Sequence, residues 1–499
     1  MNVECRIHGI RLCTKLKVFG FVDDVKGVVS SVEEFKAIDH SLQLFEKATG
    51  SKLHRDPATK KCSVMPLGRW SNWKQSDCPL DYMGVVDELN FLGVMLARTS
   101  TKTRALNGDE LTKKVRATIS SYKAGRHSPL VCRPHTVNTY VMSKIAYRSA
   151  IVNFRMQDIN HIQSTIKQWI TQNLLLKPPE ILLFRDIEQG GLGLLHTGAR
   201  CTANLVKTFI QQAHPNSQHF NLYLNTLFRC YVEEELDKNT LKRPPFYSLD
   251  FFEIIKEAMH DSSESILFIT TKGWQSRILE RGITHSKDPE VGLPELIRTD
   301  QEKRLNNADW LHAWNIRRKA GLTPDQKSWL FLWSNGLLIN NVKLLKLGKA
   351  TTDKCDFCDE QDSRLHMLYC NHSKTINEGI FKIINSCSDQ NVCDADTEIL
   401  NLDIPTSLQL PAIFIFCEAL QQVHECRLKK QPVQISKLIA TIKVKSEAFL
   451  LSKKLAFAHQ VVSMWLDAFF SGHSDANLQQ PPPAPTGHGR PRASPPQPS

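Results

Sequence analysis

The chain has 499 residues, with 63 Lys+Arg against 51 Asp+Glu and 41% hydrophobic content, enough for buried cores in roughly three or four domains. The net charge of +12 favours a polyanionic partner, and 14 cysteines are too sparse for a disulfide-built secreted scaffold. The charged start Met1-Asn2-Val3-Glu4-Cys5-Arg6 argues against a signal peptide, and the most apolar stretch, Leu410 to Cys417, is too short to span a bilayer. An intracellular protein is therefore expected, nuclear or cytoplasmic, with no membrane partner.

The first informative element is Phe21-Val22-Asp23-Asp24. Apolar, β-branched flanks from Leu16 to Gly20 and from Val25 to Val29 predict two short strands with the acidic pair in the turn. An isolated Asp-Asp is most often a polar turn. At a hairpin tip, however, it can also hold carboxylates side by side for Mg²⁺. From Ser31 to Thr49, Val32, Phe35, Ile38, Leu42 and Phe45 recur at helical spacing, and Gly50 ends the helix. A charged loop follows, ending in Lys60-Lys61-Cys62, then Met65-Pro66-Leu67-Gly68-Arg69-Trp70 and the strand candidate Phe91-Leu92-Gly93-Val94-Met95-Leu96.

In order and spacing these elements resemble the second half of the reverse transcriptase domain of non-LTR (LINE-type) retrotransposons. That family has an aromatic-x-Asp-Asp hairpin, a helix ending in Phe-x-x-x-x-Gly, and a Phe-Leu-Gly-Val turn that supports the primer end. The resemblance implies that Asp23 and Asp24 are catalytic carboxylates and Mg²⁺ the polymerase metal. A two-metal site needs carboxylates from two strands. Only 22 residues precede Asp23, with Glu4 the sole acid among them. The expectation is therefore a truncated fragment that binds RNA or RNA–DNA duplex without polymerising. One alternative is an active RNA-directed DNA polymerase whose upstream part is missing from this sequence. Another is a zinc-containing interaction scaffold.

From about Thr101 to Gln172 the chain reads as helical and basic. Lys113, Lys114, Arg116, Lys123, Arg126 and Arg133 interleave with Tyr122, Tyr140 and Tyr147. Cations neutralise phosphates and rings stack beside them, although solvated lysines on a bundle give the same pattern. The resemblance makes this the thumb, which grips template–primer duplex. Gly190-Gly191-Leu192-Gly193 lacks the third glycine of a dinucleotide fingerprint and is expected to be a backbone turn. Residues from about Ala199 to Ile297 carry little signal beyond mixed helix. Trp310, Trp314, Trp329 and Trp333 are paired at i, i+4 and read as core. Arg317, Arg318 and Lys319 read as a solvated charge run.

Cys355-x2-Cys358 followed by His366-x3-Cys370 is the strongest metal signal. The pattern offers four soft N/S donors, as a closed structural Zn²⁺ site requires. His372 is a competing ligand but points off the His366–Cys370 face, and Cys387 and Cys393 are too far apart to extend the site. LINE proteins carry such a knuckle after a basic helix. Here Lys343, Lys346 and Lys349 would form that helix, with Lys354 beside the first cysteine; Lys346 and Lys349 are candidate nucleic-acid contacts. Beyond it, Leu408 to Phe470 reads as two or three amphipathic helices whose lysines (Lys437, Lys443, Lys445, Lys453, Lys454) face solvent. Arg427-Leu428-Lys429-Lys430 is a weak nuclear-import candidate, and the Pro-rich tail from Gly472 cannot bury a core.

The expected fold is α+β, mostly α, in six parts. Residues 1–100 form the C-terminal half of an antiparallel palm, 101–180 a helical thumb and 181–340 a helical connector. Residues 341–380 form the zinc knuckle, 381–471 C-terminal helices and 472–499 a disordered tail. Oligomeric state is not legible in the sequence.

Overall fold

The computed structural model describes residues 18–21, 24–52, 54–56, 61–122, 127–213, 269–270, 273–274, 322–363, 366–371, 373–374, 376, 378 and 406–452. The chain divides into two compact units, Met1–Thr299 and Asp300–Ser499. Both are mainly helical. The sheets among the described residues are three separate pairs of strands, so the architecture is α+β with α predominating.

In the first unit, β1 (Val18–Phe21) and β2 (Asp24–Gly27) form an antiparallel hairpin whose last pair is Phe21 with Asp24. The hairpin is the expected one, with a correction at its tip. Asp24 belongs to the second strand and not to the turn, because pairing with Phe21 draws its backbone into the ladder. Val22 and Asp23 lie outside the described residues. Helix α1 (Val32–Thr49) starts where Ser31 accepts the Glu34 amide and stops at Gly50, left-handed at φ 72°. These are the boundaries that the sequence pattern predicts.

Strands β3 (Ser63–Val64) and β4 (Gly84–Val85) form a short parallel pair, and β5 (Glu88–Phe91) and β6 (Val94–Ala97) a second hairpin. Its loop is Leu92-Gly93, both at positive φ (48° and 80°), as a two-residue turn between twisted strands requires. Leucine is a costly occupant of that region. The Asn90 side chain accepts the Gly93 amide at 3.0 Å, and the Tyr147 hydroxyl donates to the Leu92 carbonyl at 2.7 Å. Two local bonds therefore hold the strained turn.

Helix α2 (Ser100–Ser121) is tied to β6 by Asn107, fully buried, which exchanges hydrogen bonds with the backbone of Met95. Its apolar stripe of Leu111, Val115 and Ile119 packs with α5 (Met156–Thr171), which buries Ile159, Ile162, Ile166 and Ile170. Helices α3 (Cys132–Thr136) and α4 (Met142–Ser149) flank a π-helical turn at Val137–Val141, and α4 packs on α7 (Thr197–Ala213). The block is interrupted at residues 150–155, so the helical run expected from Thr101 to Gln172 is several helices and not one.

Between α6 (Glu180–Phe184) and α7, Gly190 and Gly193 have φ of 80° and 65°. A Cβ on Gly191 would lie 2.0 Å from the Arg185 carbonyl oxygen. The amides of Leu192, Gly193 and Leu194 bond Leu182, Arg185 and Leu183, and Asn138 holds both the Gly193 carbonyl and the Leu195 amide. The glycines therefore serve a backbone turn, as expected.

In the second unit, α8 (Pro324–Ser334) opens with a Thr323–Gln326 capping box and Pro324 at its first position. Trp329 and Trp333 stack at 5.5 Å and are buried, which bears out the core reading for this pair; Trp310, Trp314 and the Arg317–Lys319 run lie outside the described residues. Helix α9 (Asn341–Lys346) is capped by Asn340 and α10 spans His366–Tyr369. Two longer helices follow, α11 (Thr406–Leu428) and α12 (Ile435–Ser452).

The expectation of amphipathic helices fails for α11, where every residue from Ile413 to Leu420 is buried because α8 and α12 both pack on it. Its Glu418 is 3% exposed and accepts Gln326 and Gln422 Nε2 at 2.9 Å each, with Lys445 Nζ as its counter-ion. Lys445 is thus an ion-pair partner and not a merely solvated lysine; a buried carboxylate needs those partners. Lys453 and Lys454 lie outside the described residues.

Alanine at Gly191 is expected to cost about 1–3 kcal/mol, since the turn cannot move off its own carbonyl without breaking the α6 bonds. Thermal unfolding of Gly191→Ala checks this: a melting temperature equal to the parent would contradict the contact.

Candidate metal centre

The knuckle is built around a tight loop. An antiparallel bridge joins Lys354 and Gln361, the Cys355 amide donates to the Glu360 carbonyl at 2.7 Å, and Asp359 turns the chain at φ 63°. That turn brings Cys355 and Cys358 together. The second half of the site is one helical turn: the Cys370 amide bonds the His366 carbonyl at 2.7 Å, so i and i+4 side chains face the same way.

The donor atoms of Cys355, Cys358, His366 and Cys370 all lie within 4.8 Å of one another. The sulfurs of Cys355 and Cys370 are 3.8 Å apart, those of Cys358 and Cys370 are 3.6 Å apart, and Cys358 Sγ is 3.0 Å from His366 Nε2. A tetrahedral Zn²⁺ with Zn–S bonds of about 2.3 Å puts its sulfurs about 3.8 Å from one another. The spacing and the donor chemistry both fit a metal such as zinc. Cys355, His366 and Cys370 are buried and Cys358 is half-buried. His372 lies outside the described residues, as do Cys387 and Cys393.

The two cysteines of the first pair sit in opposite electrostatic environments. The Cys370 thiol beside it holds Cys355 well below the ordinary thiol range, whereas burial pushes Cys358 up. A carboxylate stands behind the imidazole, with Glu360 Oε2 3.2 Å from His366 Nδ1. This leaves Nε2 as the nitrogen that faces the sulfurs. Arg427, at the end of α11, reaches Cys355 Sγ at 3.4 Å and is paired with Asp362. Lys430 pairs with Asp356 at 3.0 Å.

Sequence reasoning missed Glu360, Asp362 and Arg427. Glu360 and Asp362 lie inside the ligand loop, where an acid near a predicted histidine ligand is a usable signal. Arg427 carries no such signal because 57 residues of chain separate it from Cys370. Within the run Arg427–Lys430, Arg427 and Lys430 contact the knuckle.

The other candidate residues are distributed as follows. Lys113, Lys114 and Arg116 are exposed on α2. Lys114 pairs with Glu110 at 2.7 Å and Arg116 contacts His161. Arg148 and then Lys114 hold the Glu110 carboxyl down at about 2. Arg133 is a correction: it is 6% exposed and donates to the carbonyls of Ser128, Ile170 and Gln172, so it staples α3 to the end of α5 and cannot reach a phosphate. Lys123 and Arg126 lie outside the described residues. Tyr140 and Tyr147 are half-exposed, and Tyr140 packs against Tyr122 at 5.4 Å. Beside the knuckle, Lys346 and Lys349 are exposed, while Lys343 turns inward onto the carbonyls of Gly336 and Leu338. Of the two acids expected as polymerase carboxylates, Asp24 is described by its backbone alone, and Asp23 lies outside the described residues.

No protein-family model matches the chain, and a search of curated proteins returned no match. Among the described residues no helix is long and apolar enough to cross a membrane.

Purified protein is expected to hold one Zn²⁺, and Cys358→Ser to lose it and unfold the knuckle, because structural zinc supplies folding free energy locally. Metal content by mass spectrometry decides: an equal zinc load in the variant would refute the ligand set.

Proposed function

We propose that this chain is a nucleic-acid-binding part of a LINE-type reverse transcriptase, its knuckle closed by a structural zinc ion. The observation that carries the proposal is the convergence of four N/S donors in the order Cys-Cys-His-Cys, directly after a short helix with exposed Lys346 and Lys349. A closed four-donor site leaves no open position for a substrate, so the metal's role is to shape the loop. In this reading the function lies in the exposed basic and aromatic surfaces of each unit. Lys113 and Arg116 on α2, and Lys346 and Lys349 by the knuckle, are exposed cations suited to phosphates. The exposed rings of Tyr140 and Tyr147 on the first unit are suited to stacking. The net charge of +12 points the same way.

Binding of structured RNA or an RNA–DNA duplex is expected to weaken steeply with salt as counterions are released. Replacing Lys346 and Lys349 together by Ala is expected to reduce the salt slope by about 2. Fluorescence anisotropy at several salt concentrations measures both. Absence of binding at low salt would instead leave a zinc-containing scaffold.

In this reading Asp23 and Asp24 would be neighbouring carboxylates of the polymerase site, and a two-metal reaction needs a second, facing strand to clamp both ions and position the nucleotide. The 499-residue chain assayed alone is therefore expected not to extend a primed RNA template with Mg²⁺ or Mn²⁺. Incorporation of labelled nucleotide that disappears in Asp23→Ala would overturn this and restore the polymerase.

A further inference from the structure

We propose that Arg427 is a positioning residue of the metal centre, and that through it metal binding and docking of the end of α11 are one coupled event. The inference rests on the zinc reading of the cluster but not on the nucleic-acid reading.

Three thiolates around one divalent ion leave one net negative charge, spread over the sulfurs. Arg427 Nη2 lies 3.4 Å from Cys355 Sγ and shares its contact with Asp362. Its side chain is only 10% exposed and that of Asp362 only 9%. Burying a guanidinium costs free energy unless its charge is matched. Arg427 Nη1 is moreover buried without a hydrogen-bond partner, an expense that an apolar residue at this position would avoid. The position is therefore accounted for by the charges it faces, the thiolate and Asp362.

Asp362 is the second half of the device. Its other oxygen accepts the Asn341 amide at 2.8 Å, at the first turn of α9, and its own amide bonds the Asp353 carbonyl at 2.8 Å. One carboxylate thus joins the start of α9, the ligand loop and the end of α11. The middle of α11 buries Cys417, Ala419, Leu420 and Val423 fully. At its end the contacts to the ligand loop are polar, from Arg427 in the helix and from Lys430 just beyond it. Metal binding would fix Cys355 Sγ at one place, which gives Arg427 an acceptor of fixed geometry. By reciprocity, docked Arg427 must favour the metal-bound form.

The test compares four full-length proteins: parent, Arg427→Met, Arg427→Lys and Lys430→Ala. Zinc affinity is read by competition with a chromophoric chelator, and hydrogen exchange over residues 423–430 is followed with and without zinc. Loss of a partner that orients a metal ligand typically costs about 10–100-fold in affinity. Arg427→Met, which keeps the stem, is expected to show such a loss and to abolish the zinc-dependent protection of 423–430. Arg427→Lys, which keeps the charge without the fork, is expected to fall between. Lys430→Ala removes an exposed contact on the same turn that does not touch a sulfur, and is expected to change zinc affinity less than twofold. Parent-like affinity in Arg427→Met, or an equal loss in Lys430→Ala, would overturn the proposal while leaving the zinc site standing. A parent protein that binds no zinc at all would overturn both.

Discussion

The crowding of three thiols and an imidazole within 4.8 Å is the constraint on which the second unit's organisation turns. Without a cation, sulfurs at 3.6 and 3.8 Å gain little from one another, and ionised ones repel. With a divalent ion at the centre the same spacing is a low-energy tetrahedron. A segment this short has too few apolar residues to hold itself together by burial. Cys355, Met367, Cys370 and Ile376 are its buried apolar members among the described residues. A metal at this cluster would stand in for a core, and Glu360, Asp362 and Arg427 all make contacts around the four donors.

The first unit solves its packing differently. Among the described residues its core is apolar helix packing, with α2 on α5 and α4 on α7. Three of its polar residues tie elements together: Asn107 pins the β5–β6 hairpin, Arg133 gathers carbonyls at the end of α5, and Asn138 closes the glycine turn. Such contacts decide which basic residues remain available. Lys113 and Arg116 face outward on α2, whereas Arg133, a residue of the same charge in the same stretch, is consumed by the fold. Charge counted along a sequence overstates the charge that a phosphate would meet.

Much of the local structure was legible in the residue order. The Ser31 cap, the apolar spacing and Gly50 delimit α1, because capping and helix termination act within a few residues. The Gly-rich turn follows from conformations that few other residues adopt, whereas the strand expected over Phe91–Leu96 is broken at Leu92-Gly93 into two strands of a hairpin. The four metal ligands could be read for the same reason, since Cys-x2-Cys and His-x3-Cys spacings each describe a local geometry. Asp24 shows how far this reaches: the hairpin was readable, but whether the second acid lies in the turn or in the strand depends on the pairing register.

By itself, then, the sequence determined the local elements, the mostly helical class and the identity of the metal-binding side chains. Each depends on interactions between residues a few positions apart. Only the tertiary structure decided that α11 is buried all round from Ile413 to Leu420, that Lys445 serves the buried Glu418, and that Arg427 ends against Cys355. Those outcomes depend on which helices meet. Long-range packing sets that meeting, and residue spacing along the chain does not encode it.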